Sequence, residues 1–233
     1  ANGPIAATRN ATTTYVYDAR DNLRQVTDPD GLTTQYEYDG FDDLRQLVSP
    51  DTGTSGYEYD KAGNRVAQID NRGVVVIHAY DALNRLSAIT YPDTTLNVAY
   101  AYDQPNNVTG CPTSWPVGRL TRMTDASGTT TWCYDRRGNV TRKVQVSGSV
   151  TMTTASTYTL ADRVSTITYP SGAVVAYVRD VTGRVTSVSW KANASASPVA
   201  LISQATYYPF GPIGSFTYGN GRTMSRSHDS DYA

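Results

Sequence analysis

Tyr-Asp recurs at Tyr17-Asp18, Tyr38-Asp39, Tyr59-Asp60, Tyr80-Asp81, Tyr102-Asp103 and Tyr134-Asp135, in steps of 21, 21, 21, 22 and 32 residues. A period this strict means that each copy builds the same local structure and covers its faces with its neighbours. The long step holds an insertion around GCPTSWPVG. Beyond residue 145 the copies are worn. STYTLADRVSTITYPSG lacks the Asp after Tyr158, and AYVRDVTGRVTSVSW keeps Asp180 but has Arg179 in the tyrosine's place. KANASASPVALISQ reads as a small-residue loop, and a different unit begins at YYPFGPIG.

Each unit divides into about seven extended residues, a four-residue turn, seven more and a three-residue turn. Seven residues at ~3.3 Å each make a strand of about 23 Å. No segment shows helical spacing, and the turn signals come too often for helices of ordinary length. The expected fold is all-β: a meander of repeated β-hairpins in one repeat domain over 1–233. Its repeats are regular over about 15–145 and divergent over about 146–233. Composition agrees. Tyr numbers 18 against three Phe, and a tyrosine ring covers apolar surface while its hydroxyl seeks water or a partner.

The two aromatic positions of YxYD are i and i+2, so they share a sheet face. The first is Tyr15, Tyr36, Tyr57 and Tyr100, with His78 and Trp132 as substitutes; the second is the tyrosine of each Tyr-Asp pair. The aspartates Asp18, Asp39, Asp60, Asp81, Asp103 and Asp135 end a strand and open a turn. There a carboxylate accepts bonds from backbone N–H groups a few residues on. Gly63, Gly138 and Gly183 offer positive φ, and Asn22, Asn64, Asn84 and Asn139 tolerate it as well. In the other turn Pro29, Pro50 and Pro170 preset φ. The return strand breaks β alternation: Leu23 and Val26, Leu44 and Leu47, and Leu86 and Ile89 are three apart. Either a bulge near the turn or contact on both faces accounts for this.

Twenty basic and 21 acidic residues leave no charge excess to attract nucleic acid or an anionic membrane. No apolar run exceeds six residues, so no segment inserts in a bilayer as a helix. Of the basic residues 17 are Arg, which forks onto carboxylates and stacks on rings. Cys111 and Cys133 are a candidate disulfide tying the insertion to the strand WCYD; two buried thiols are the other reading. No calcium loop, GxSxG, HExxH, P-loop or GxGxxG is present, so neither metal, cofactor nor catalysis is expected. His78 stands at a ladder position, and His228 lies in the tail. Cys133 with His78 is the weak nucleophile-and-base reading. Four N-x-S/T sites, Asn10, Asn107, Asn139 and Asn193, are what chance gives a Thr-rich chain.

The segments YDARDNLRQVTDPDG, YEYDKAGNRVAQI, YDALNRLSAITYPD, YDRRGNVTRKV and TITYPSG, with the later FTYGNGRT, resemble the RHS/YD-repeat family. The resemblance spans essentially the whole chain, more loosely after residue 145. It implies a curved β-strip that forms part of a hollow shell, as in bacterial RHS proteins, shell components of insecticidal toxin complexes, and teneurins. In the bacterial systems the shell encloses a variable C-terminal toxin, and the repeats themselves are not catalytic. The aspartyl self-cleaving core that precedes such a toxin has no counterpart in these residues.

The expectation is a non-catalytic segment of a secreted or envelope-associated shell, with the rest of a larger RHS chain and its toxin cargo as partners. Unpaired terminal strands invite an edge-strand dimer. The alternative is a cell-surface adhesion module whose tyrosine stripe binds glycan.

Overall fold

The computed structural model describes residues 11–209 and 211–229, so the Asn10 site lies outside the described residues. Among the described residues nineteen strands form an antiparallel meander in which each pairs with its neighbours in sequence. The chain divides into two units, 1–99 and 100–233.

In the first unit the strands are β1 (Thr14–Tyr17), β2 (Leu23–Thr27), β3 (Thr33–Tyr38), β4 (Leu44–Ser49) and β5 (Gly53–Tyr59). They continue with β6 (Arg65–Ile69), β7 (Val75–Tyr80), β8 (Leu86–Thr90) and β9 (Val98–Tyr102), which begins there. The second unit holds β10 (Leu120–Asp125), β11 (Gly128–Tyr134), β12 (Val140–Ser147), β13 (Val150–Tyr158) and β14 (Val164–Thr168). After these come β15 (Val174–Arg179), β16 (Val185–Lys191), β17 (Val199–Tyr207), β18 (Ile213–Tyr218) and β19 (Thr223–Ser225). VALISQ, read from sequence as loop, opens β17: its Val and Ile residues favour a strand over the small-residue run before it.

The two turns of the repeat, expected to differ in length, close in the same way. At Asp18 the N–H donates to the Asn22 carbonyl at 2.9 Å and the Asp21 N–H to the Asp18 carbonyl at 3.1 Å, with Asp21 at φ 64°. At Asp28 the bonds are Asp28 N–H to Leu32 (2.9 Å) and Gly31 N–H to Asp28 (3.0 Å), with Gly31 at φ 82°. Both are three-residue hairpin loops ending in a left-handed residue, a turn that matches the twist of paired strands. In the Tyr-Asp turns the left-handed position is Asp21, Asp42, Gly63, Asn84, Gly138, Asp162 or Gly183. Of the four asparagines expected there, only Asn84 occupies it. Asn22, Asn64 and Asn139 come one residue later and close the loop.

A bulge resolves the three-residue spacing of the return strands. Val16 faces Gln25 but Tyr17 faces Leu23, leaving Arg24 as an extra residue. The same shift places Tyr38 opposite Leu44, Tyr59 opposite Arg65, Tyr80 opposite Leu86, Tyr134 opposite Val140, Tyr158 opposite Val164 and Arg179 opposite Val185. Because one residue is inserted, Leu23 and Val26 share the face of Tyr17 and Tyr15, as Leu44 and Leu47 share that of Tyr38 and Tyr36. That face is half-buried in β3 and β7, whereas Glu37 and Ala79 between the ladder residues are exposed.

Within each unit the strands make extensive contact only with sequence neighbours, and α1 (Asn106–Thr109) is the element laid over a strand, β11. Buried residues are accordingly few. Of the eight among the described residues, Cys111 lies in the insertion and Thr121, Thr130, Thr131, Cys133 and Tyr134 on β10 and β11; Ala67 and Ala205 stand apart.

Candidate functional site

Each Tyr-Asp pair forms a corner, built first by its aspartate. Asp60 Oδ1 accepts from the N–H groups of Ala62 (2.8 Å) and Asn64 (2.9 Å), while Oδ2 accepts from Asn64 Nδ2 at 2.9 Å. Asp135 repeats this with Arg137 (2.9 Å), Asn139 (3.0 Å) and Asn139 Nδ2 (2.9 Å). Asp18, Asp39, Asp81 and Asp180 bind the N–H groups two and four residues on in the same way. Asp103, beside the insertion, instead takes the Gly118 N–H. Where the aspartate is lost, Thr159 Oγ1 accepts from Ala161 and Arg163 at 3.3 and 3.2 Å.

These donors favour the charged form. The Asn64 side chain first, then the backbone, holds the Asp60 carboxyl below its ordinary value; Asn139 does the same for Asp135, and the Thr182 hydroxyl and Arg184 for Asp180. Backbone N–H groups lead at Asp18 and Asp81.

Consecutive corners are joined along one edge. Arg20 donates to the carbonyls of Gly40 (3.0 Å) and Asp39 (3.1 Å) in the next corner and pairs with Asp42 at 3.1 Å. Arg137 forks onto Leu160 and Thr159 and pairs with Asp162 at 2.8 Å. Arg119 reaches Asp135 (3.1 Å), Arg163 reaches Thr182 (2.7 Å) and Arg184 reaches Tyr208 (3.3 Å). Asn22, Asn64 and Asn139 each donate onward to the left-handed residue of the following corner: Asp42 (2.6 Å), Asn84 (2.9 Å) and Asp162 (2.6 Å). Arg163 lies so close over Gly183 that a Cβ there would fall on its guanidinium. Sequence reasoning did not find these clasps. The one signal was the 17 Arg to three Lys, since a guanidinium spans two carbonyls and an ammonium does not.

The tyrosines do the third job. Tyr80 Oη donates to the Arg65 carbonyl at 3.0 Å, Tyr158 to Val140 at 2.8 Å, Tyr207 to Val185 at 2.7 Å and Tyr134 to Leu120 at 2.5 Å. Arg65, Val140 and Val185 face the corner residue within their own hairpin, beyond the reach of the next strand's backbone ladder, which begins two or more residues on. The next hairpin's tyrosine supplies the missing donor. Phe could not, which favours tyrosine at these four positions.

Cys111 and Cys133 form a disulfide, both almost fully buried, and this fastens the insertion over β11. Arg122 and Arg142 add bonds to the Val108 (2.7 Å) and Gly110 (3.2 Å) carbonyls. With Cys133 bridged, no free thiol is left for the nucleophile reading. His78 faces Ile89 in the ladder; burial, then the charge of Arg65, pushes its imidazole below the ordinary range. His228 packs edge-on to Tyr208 at 5.3 Å. Among the described residues no cluster of three or more His, Cys, Asp or Glu is placed to hold a metal, and no helix is long and apolar enough to cross a membrane.

The model of the RHS repeat matches residues 5–32, 17–54, 59–96 and 115–150, together just over half of the chain. The chain belongs to the RHS-repeat family. This RHS chain is similar in fold to several solved toxin-complex structures. It superposes on TcdB2-TccC3-Cdc42 with a TM-score of 0.79 at 18% identity, covering 94% of this chain and 12% of that one. TcdB2-TccC3 without its hypervariable C-terminal region gives 0.78, 17%, 94% and 12%. A Photorhabdus luminescens Tc holotoxin pore with a point mutation in TccC3 gives 0.77, 18%, 93% and 12%. The RHS chain therefore spans about an eighth of the length of these relatives. No curated protein sequence matches it. The fold is the antiparallel RHS-type β-sheet that these structures share.

Proposed function

We propose that this RHS chain is a non-catalytic wall segment of a larger, secreted or envelope-associated RHS-type shell that encloses a polypeptide cargo such as a C-terminal toxin. One observation carries the reading. The recurring chemistry of the repeat is spent inside the sheet: aspartates on their own turns, arginines on the next corner, and tyrosine hydroxyls on bulge carbonyls. Among the described residues such a strip presents no assembled reactive group, yet it extends by adding hairpins, as a wall must. The fold likeness to toxin-complex shells supports the same role.

Limited proteolysis tests it. In the full-length gene product, the polypeptide downstream of the repeats resists protease while the repeats are intact and is digested once residues 15–145 are deleted. Equal digestion in both would overturn the proposal. The glycan reading gains no support from the geometry, because several ladder tyrosines are half-buried with their hydroxyls already engaged.

A further inference from the structure

His78 occupies a place that Tyr15, Tyr36, Tyr57, Tyr100 and Trp132 fill in other copies of the repeat. Tyrosine and tryptophan take up no proton as pH falls from neutral, whereas an imidazole does. The substitution therefore sets one proton acceptor into an otherwise inert ladder.

The surroundings of this imidazole suit only its neutral form. Its Nδ1 is buried and has no hydrogen-bond partner in the protein. Protonation makes both ring nitrogens donors, so Nδ1 becomes a charged N–H without an acceptor. From β8, Leu86 and Ile89 share its face and carry no charge. From β6 come neutral Gln68, opposite Val76, and Arg65, which the bulge sets opposite Tyr59. The Arg65 guanidinium lies 5.6 Å over the Tyr57 ring and repels a second cation. On β7 itself Tyr80 has its hydroxyl spent on the Arg65 carbonyl. Among the described residues β6, β7 and β8 contain no carboxylate. Those in the turns on either side of β7, Asp70 and Asp81, are paired with Arg72 and Arg85. An added charge on His78 thus meets a cation and apolar side chains.

We propose that His78 is an acid-sensitive switch: protonation of its ring loosens the pairing of β7 with β6 and β8 while the earlier strands of the first unit stay closed. The device goes beyond the wall reading and does not depend on any cargo. Burial, then Arg65, holds the imidazole below its ordinary 6.5, so the folded state binds fewer protons than the unfolded one. The stability contributed by neutral His78 is present above 6.5 and is lost as pH falls from there toward the folded value. Asp60 and Asp81 stay charged over this window, since both are held below 3.8. Hydrogen exchange on the whole chain, corrected for its intrinsic pH dependence, reads the switch between about pH 7.5 and about pH 5. In the wild type, exchange is expected to quicken more than about threefold in residues 65–69, 75–80 and 86–90, while 23–27 and 33–38 hold. His78→Tyr, which restores the usual ladder residue, removes the acceleration. Arg65→Gln, which takes away the neighbouring cation and keeps the main-chain carbonyl for Tyr80, reduces it. A wild type with no acceleration in these strands overturns the proposal. So does an equal acceleration in His78→Tyr, or one spread evenly over the first unit.

Discussion

The guanidinium of Arg179 donates to the main-chain carbonyl of Val164 at 3.1 Å. Tyr158 makes the equivalent bond to Val140 one hairpin earlier and Tyr207 to Val185 one hairpin later. In these copies a long donor fills this place, and tyrosine is its usual form. The worn copies keep the function after losing the letter.

It follows that Arg179→Tyr is tolerated whereas Arg179→Leu is not. Chemical denaturation should place Arg179→Tyr near the wild type. Arg179→Leu, which leaves the Val164 carbonyl without its donor, costs about 1–3 kcal/mol. Tyr158→Phe, which removes one oxygen, costs about 0.5–1.5 kcal/mol.

The corner aspartates tie stability to pH. A carboxylate whose folded value is depressed contributes stability above its unfolded value and loses it as pH falls through the folded one. Asp18, Asp60, Asp81, Asp135 and Asp180 all lie below the ordinary 3.8. The melting temperature should therefore hold through the neutral range and fall progressively below about pH 4. Asp60→Asn, which removes the titration there, makes that fall shallower while lowering stability at neutral pH.

Lysine cannot replace the clasp. Arg137→Lys keeps the charge but loses the fork onto Thr159 and Leu160. Hydrogen exchange should quicken at the 159–163 turn while the 135–139 turn is unchanged, with a global cost under about 1 kcal/mol because the pair is solvated.

The disulfide closes a loop with a sequence separation of 22. Chain-entropy reasoning gives such a cross-link about 3 kcal/mol. Cys111→Ser with Cys133→Ser should lower the denaturation free energy by that order. The loss of exchange protection should concentrate in residues 104–134, where most of the buried side chains lie.

Much of this was legible in the sequence, because a repeat averages out local accidents. Six Tyr-Asp pairs at near-constant spacing set the hairpin, and Asp60 followed by Gly63 set its turn. The bulge was half-visible: Leu23 and Val26 three apart signalled a break in alternation, but a bulge and two-sided contact leave the same pattern. The asparagines misled because Asn tolerates both the left-handed position, as at Asn84, and the loop-closing one, as at Asn64. The arginine clasps lay beyond reach since they join residues about 20 positions apart, as Arg20 and Asp39 do, through backbone carbonyls that leave no mark in side-chain identity.

The bulge brings each corner residue opposite the first residue of its return strand, and the face of every ladder residue follows from it. Cross-strand Hα–Hα and HN–HN nuclear Overhauser contacts in the β5–β6 hairpin read that register directly. The prediction is Glu58 against Ala67 and Tyr59 against Arg65, with Val66 passed over, repeated as Tyr38 against Leu44 one module earlier. An unbroken ladder with Tyr59 against Val66 would contradict it.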